Sequence, residues 1–331
     1  DTMKILTLDF TNTSIHDLKL DLTPQTFNLD TNNVPLIINS SFNITGGTNE
    51  LYLDMDETIF IIDSELYDFE LFFTTTKDII INNSIITAEE RYANLSLAAD
   101  NVFIKNSIID YSFAGNHING CYPVYQDYNI AADKVDIIHS NISIYAKETS
   151  YSHGSPSIVQ TRVHIDSDEL NLISSDISGD LYNINDEPGY GYIILDSGIL
   201  NIQDTSISQT SPKKNYLRLY SDNLSVESSV LLSEDEVTIS TSDFTFNNAD
   251  IVDEMSTFNF IVTNSSVEDL SLSFTPSNYN VSFIDVEDLY NIDIDLTGSG
   301  SVNVYSDLSF IDDVSLDLNN GAFNVDTIVS R

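Results

Sequence analysis

The chain has 331 residues, with 52 Asp and Glu against 12 Lys and Arg, a formal net charge of −40. So few cations exclude nucleic acid as a partner, because its phosphates would stay unneutralised, and exclude an anionic membrane surface on the same ground. Hydrophobic residues at 41% and aromatics at 10% run evenly along the chain, which supports a sizeable core and argues against long disorder.

No apolar run reaches the ~18 residues that a bilayer span needs, so no membrane span is expected. Cys121 is the single cysteine, which leaves a free thiol and no intrachain disulfide. The opening Asp1-Thr2-Met3-Lys4 is not an initiator sequence, and removal of a secretory leader would account for it. So many carboxylates repel one another unless cations screen or bind them. An extracellular or cell-surface location is therefore expected, with calcium as the candidate cation and no required cofactor.

In chain order, residues 1–58 carry alternating runs such as Leu18-Leu20-Leu22 and Leu51-Leu53. One frame then recurs: apolar, any, apolar, any, polar, Ser or Thr, any, apolar. It reads Ile59-Ile61-Asp63-Ser64-Leu66, Ile79-Ile81-Asn83-Ser84-Ile86, Val102-Ile104-Asn106-Ser107-Ile109 and Val135-Ile137-His139-Ser140-Ile142. It continues through Leu170-Leu172-Ser174-Ser175-Ile177, Leu200-Ile202-Asp204-Thr205-Ile207 and Leu224-Val226-Ser228-Ser229-Leu231. Outlying copies are read at Leu8-Phe10-Asn12-Thr13-Ile15, Phe244-Phe246-Asn248-Ala249-Ile251 and Phe260-Val262-Asn264-Ser265-Val267, with a shifted one at Leu36-Ile38-Ser40-Ser41. Helical stripes are absent, and β-branched residues dominate with Asn, Asp and Ser.

Apolar residues two apart share one face of a strand. The change of spacing after the second one requires a bend, and a small hydroxyl residue there can turn inward and bond the backbone. If frames stack about 4.8 Å apart, that hydroxyl lies above its own kind and forms a ladder. The frames recur every 20 residues or so, with longer steps between Val102 and Leu200. This predicts an all-β fold: a right-handed parallel β-helix with loop insertions, possibly with a small β cap at its C-terminal end. Residues 1–279 are assigned to the helix. Residues 280–331, with turn signals at Gly298-Ser299-Gly300 and Asn319-Asn320-Gly321, are either further coils or a small β-sheet extension.

Stretches such as Val102-Phe103-Ile104-Lys105-Asn106-Ser107-Ile108-Ile109 and Leu200-Asn201-Ile202-Gln203-Asp204-Thr205-Ser206-Ile207 resemble the repeats of pectin-lyase-like parallel β-helices. They also resemble those of archaeal and bacterial adhesin-like surface proteins. The likeness covers about residues 59–270 and implies architecture, since this fold hosts lyases, hydrolases and adhesins alike.

The long steps carry Tyr111, Tyr122, Tyr125, Tyr128, Tyr151, Tyr182, Tyr190 and Tyr192, with His117 and His153. Tyrosine gives flat amphipathic contact area at low entropy cost, so Tyr111, Tyr122, Tyr125, Tyr128, Tyr151, His153, Tyr190 and Tyr192 are expected to form a binding or assembly face. The alternative is that they pack the insertions onto the solenoid. Asp54, Asp56 and Glu57, and Asp186 with Glu187, are the candidate calcium ligands. Nine Asn-x-Ser/Thr sequons occur, about as many as chance gives, and Asn223 and Asn280 are placed best for glycosylation, at turns.

An enzyme is not expected. The polygalacturonase pattern needs Asp-Asp upstream of His-Gly and a basic tripeptide after it. Here His153-Gly154 lacks both, and Asp312-Asp313 lies far downstream. A lyase needs Arg or Lys beside clustered carboxylates, and Arg162 near Asp166 and Asp168, or Arg218 near Asp222, reads as a surface ion pair. The reading is a secreted structural or adhesive surface protein whose likely-shaped partner is itself, in a filament or lattice. Surface glycans or another surface protein are the other partners expected, and a carbohydrate-active or carbohydrate-binding β-helix is the alternative.

Overall fold

The computed structural model describes residues 6–11, 13–22, 27–32, 35–44, 50–67, 70–88, 92–115, 124–148, 159–183, 189–210, 214–233, 235–247, 250–251, 256–263, 267–268, 270–286, 288–306 and 310–325. Among these there is no helix. Every strand pairing is parallel, and each strand pairs with the equivalent strand one coil away. The chain is a parallel β-helix of stacked three-sided coils. One coil runs Glu70–Thr75, Asp78–Asn82 and Ile85–Ala88, one strand per face. In the next coil the first two faces merge into the bent strand Tyr92–Lys105, followed by Ile108–Gly115.

Period-two alternation sends one side chain in and the next out. Inside, equivalent residues stack into aliphatic columns, such as Ile61, Ile81, Ile104, Ile137, Leu172 and Ile202, all at most 1% exposed. Closing such columns removes about 25 cal/mol for each Å² of apolar surface taken from water.

The hydroxyl residues of the frame do lie in register. The Ser64 amide donates to Ser84 Oγ at 3.2 Å, Ser84 to Ser107, Ser107 to Ser140 and Ser140 to Ser175. Ser175 continues to Thr205 and Thr205 to Ser229. Each hydroxyl in turn donates to the carbonyl two residues before it, as Ser107 Oγ does to Lys105 at 2.7 Å. The polar residue ahead of it takes the left-handed conformation: Asp63, Asn83, Asn106, His139, Ser174, Asp204 and Ser228 have φ between 47° and 51°. Asn and Asp tolerate that conformation best among residues with a side chain. Asn83 Nδ2 also donates to Asp63 Oδ1 at 2.6 Å, a second ladder on the outside of the bend.

Three outlying frames are corrected. In the first coil the bend is at Asp17-Leu18, with Asp17 left-handed and the Leu18 amide donating to Ser40 Oγ at 3.2 Å, so Leu8 does not open the frame. In the second, Ile37 is the buried residue and Asn39 the left-handed one, one step from the frame read at Leu36. Phe260 pairs with Ile239 on the first face, so it does not begin a bend at all. In each case an apolar pair two apart also fits a neighbouring strand, because every strand shares the same alternation. Asn12, Asn248, Ala249, Asn264 and Ser265 lie outside the described residues.

The ladder bonds step by 20, 23, 33, 35, 30 and 24 residues. The extra residues enter at one corner, where the chain leaves the third face at 115, 148 and 183 and rejoins the first at 124, 159 and 189. Part of the extra length prolongs strands: Ile108–Gly115, Asn141–Glu148 and Asp176–Asn183 pair along their lengths. Beyond residue 256 the coils narrow again. Thr257 pairs with Asn278 and Asn278 with Ser299, which is 21 residues per coil. The same parallel stacking runs on through Phe310–Val325.

Candidate recognition face

On the outer surface of the first face, register places Asp127, Arg162, Tyr192, Tyr216 and Glu236 in one line along the axis. Arg162 Nε donates to Asp127 Oδ1 at 2.8 Å and Nη2 to Oδ2 at 2.5 Å, a bidentate pair. The rings of Tyr192 and Tyr216 stack at 4.8 Å and 8°. The Arg218 guanidinium lies 4.9 Å over the Tyr216 ring and donates to Glu236 Oε1 at 3.2 Å. Tyr190 flanks Tyr192 at 6.3 Å between centroids. Inter-strand spacing of about 4.8 Å sets the stacking distance, and stacking with a cation over the ring is worth roughly 1–2 kcal/mol beyond area. The Tyr192 phenol is pushed up by burial and then by Tyr216, and the Tyr216 phenol by burial and then by Glu236.

Beside this line, along the corner between first and second faces, small side chains leave a shallow groove. Ala98, Ala131 and Ser167 floor it, and Asp100, Asp133 and Asp166 rim it. A second stretch continues past Asp196, Ser197, Ser221 and Asp222. Together the two features offer flat rings, guanidinium groups and a row of carboxylates for surface contact.

The expected site residues divide. Tyr190 and Tyr192 lie on the outer face, half-buried. Tyr111 and Tyr128 are corrections to the expected face: both are interior, at 0% exposure, with rings edge-on at 4.9 Å. The reason is the prolonged strands, whose alternation turns Tyr111 inward with Ile109 and Tyr128 inward with Ile130. Tyr128 donates its hydroxyl to the Ser143 carbonyl at 2.7 Å, and burial pushes both phenols well above their ordinary range. Tyr125 is in the strand Val124–Ile138, opposite Gln160, and Tyr182 is in Asp176–Asn183. Tyr122, Tyr151, His153, His117, Cys121, Asp186 and Glu187 lie outside the described residues.

Asp54 ends the strand Glu50–Met55, and Asp56 and Glu57 follow in a bend, all three exposed. Among the described residues no three acidic, His or Cys groups are gathered to hold a metal. Asn223 is exposed one residue after the corner at Asp222. Asn280 is corrected: it is not at a turn but within Asn278–Ile284, where its Oδ1 accepts from Asn303 Nδ2 at 3.0 Å. Asp313 is a left-handed corner residue on the last strand. Arg162 and Arg218 do form ion pairs, but with Asp127 and Glu236 one coil away, not with the acids near them in sequence. Tyr216 and its stack were missed. Their signal is the spacing of 24 residues from Tyr192, one coil, which becomes readable only with the register known.

No protein-family model, curated protein or solved structure matches this chain. No helix of the described residues is long and apolar enough to cross a membrane.

Proposed function

We propose that this chain is the stiff shaft of an extracellular structural or adhesive surface protein that associates with copies of itself, with the Tyr190, Tyr192 and Tyr216 face as a contact surface. The observation that carries the reading is the last described strand. Phe310–Val325 pairs along one edge with Asp288–Tyr305, and among the described residues no strand pairs with its other edge. Phe323 and Val325 on it are each 49% exposed. An unpaired strand edge with apolar side chains is a template for another strand. The hydroxyl ladder supports stiffness, because each coil is fastened to the next at a fixed point. The acidic coat keeps such a rod soluble and makes association depend on cations.

Electron microscopy and light scattering, with and without calcium, test this. Filaments or ordered sheets are expected. Single short rods under both conditions overturn it. A second reading, a carbohydrate-binding β-helix, is favoured by the stacked tyrosines beside the Arg162–Asp127 pair. A glycan array with a reducing-end assay separates the two: binding without turnover fits an adhesin, turnover fits an enzyme, and neither leaves the self-associating rod.

A further inference from the structure

The widened coils have an unusual interior. On the first face the inward column runs Gln126, Thr161, Gly191 and Asn215, and on the third face it runs Ile144, Gly179, Gln209 and Ser233. Thr161, Gln209, Asn215 and Ser233 are at 0% exposure. Elsewhere these columns are aliphatic, as with Leu71, Leu95 and Ile165. The Gln209 amide lies where two glycines have made room: a Cβ on Gly179 would collide with its Oε1, and one on Gly191 with its Nε2. Glycine within a strand costs about 0.5–1 kcal/mol relative to alanine, so the space has a cost in the backbone.

Four atom groups there have no hydrogen-bond partner among the described residues: Thr161 Oγ1, Gln209 Oε1, Gln209 Nε2 and Ser233 Oγ. Each such buried group costs about 1–3 kcal/mol if left unmade. The set decides the ligand. Gln209 Nε2 only donates, Oε1 only accepts, and the two hydroxyls do either. A cation would satisfy the oxygens and be repelled by the amide hydrogens. An apolar ligand would satisfy none. Water satisfies all of them and is the usual partner of buried groups of this kind.

We propose that the widened coils enclose a water-binding site, with at least one water held by the Gln209 amide and by the hydroxyl of Thr161 or Ser233. The long steps enlarge the coil beyond what aliphatic side chains fill, and Gly179 and Gly191 shape the enlarged space around the amide. The site is independent of the reading of the outer face.

A crystal structure of the intact chain, at a resolution that shows ordered solvent, tests this. A density peak is expected at about 2.7–3.2 Å from Gln209 Oε1 or Nε2 and from a Thr161 or Ser233 hydroxyl. It should be lost in Gln209→Met. Two results overturn the proposal: a dry site in which the Gln209 and Asn215 amides bond one another, or a peak ringed by oxygens alone at about 2.3–2.6 Å, which is a cation. In solution, the wild-type protein should show nuclear Overhauser transfer from a long-lived water to the Thr161 or Ser233 amide hydrogen. Its absence from both also overturns the site, whether or not the variant folds.

Discussion

The bend between second and third faces is built in two ways. From Ser40 to Ser229 a left-handed polar residue is followed by Ser or Thr, whose hydroxyl bonds the neighbouring coil. Toward the C-terminal end the left-handed residue persists, at Asn291 and Asp313, but Ile292 and Val314 follow it. Ile292 is 2% exposed and pairs with Val314. Leu18, at the opposite end, holds the hydroxyl position of the first coil. The constant element is therefore the left-handed turn, which reverses the strand within one residue. The hydroxyl is one of two fillings for the inner corner. It satisfies backbone groups directly, whereas an aliphatic chain fills the same corner by packing.

The largest expected effect exchanges the fillings. Ile292→Ser removes a buried aliphatic group and should cost about 2–5 kcal/mol in urea denaturation. A cost below about 1 kcal/mol would mean that the hydroxyl finds a partner there and that the two corners are interchangeable. Next is Ser140→Ala. It deprives the buried Ser107 amide of its acceptor at 3.2 Å and the Ile138 carbonyl of a donor at 2.9 Å. A loss of about 1–3 kcal/mol is expected, with faster hydrogen exchange at the Ser107 amide, and unchanged exchange there would break the ladder account. Third, Asn106→Val and Asn291→Val put a β-branched residue in the left-handed region and should each cost roughly 1–2 kcal/mol. Equal costs support the shared turn; a cost in one region alone would divide the bends into unrelated structures.

The frame made the solenoid and its ladder legible because both come from short-range order: alternation, then one bend, repeated. What stayed hidden depends on register between coils. Asp127 and Arg162 are 35 residues apart, and nothing local says that they meet. Tyr111 and Tyr128 read as loop residues because extra length was assigned to loops, whereas the chain spent part of it on longer strands, which turned both rings inward. Phe260 was misplaced because an apolar pair two apart fits any face. The buried Gln209 could not be told from an outward one until Gly179 and Gly191 were found on either side of it. Alternation gives the face of a residue only relative to its strand, so each error of strand assignment becomes an error of side.

The smallest expected effect compares inside with outside on the same pair of coils. Lys134 pairs with Glu169 in register and donates to its Oε1 at 2.6 Å, on the outer surface of the coils that Ser140 and Ser175 join within. The Glu169 carboxyl is held below its ordinary range, first by that hydrogen bond and then by Asn171. A depressed carboxyl contributes stability that is present above its unfolded pKa and is lost as pH falls through the folded one. Both side chains are more than a third exposed, at 35% and 38%, so the contribution is expected at about 0.5 kcal/mol or less and should shrink with salt. The coat at −40 works the other way, since screening or protonation relieves its repulsion. Lys134→Met should therefore raise the Glu169 titration, followed by carboxyl carbon shifts, while leaving the urea midpoint almost unmoved. A loss as large as that of Ser140→Ala would show that the outer ion pair, and not the inner hydroxyl, fastens these two coils.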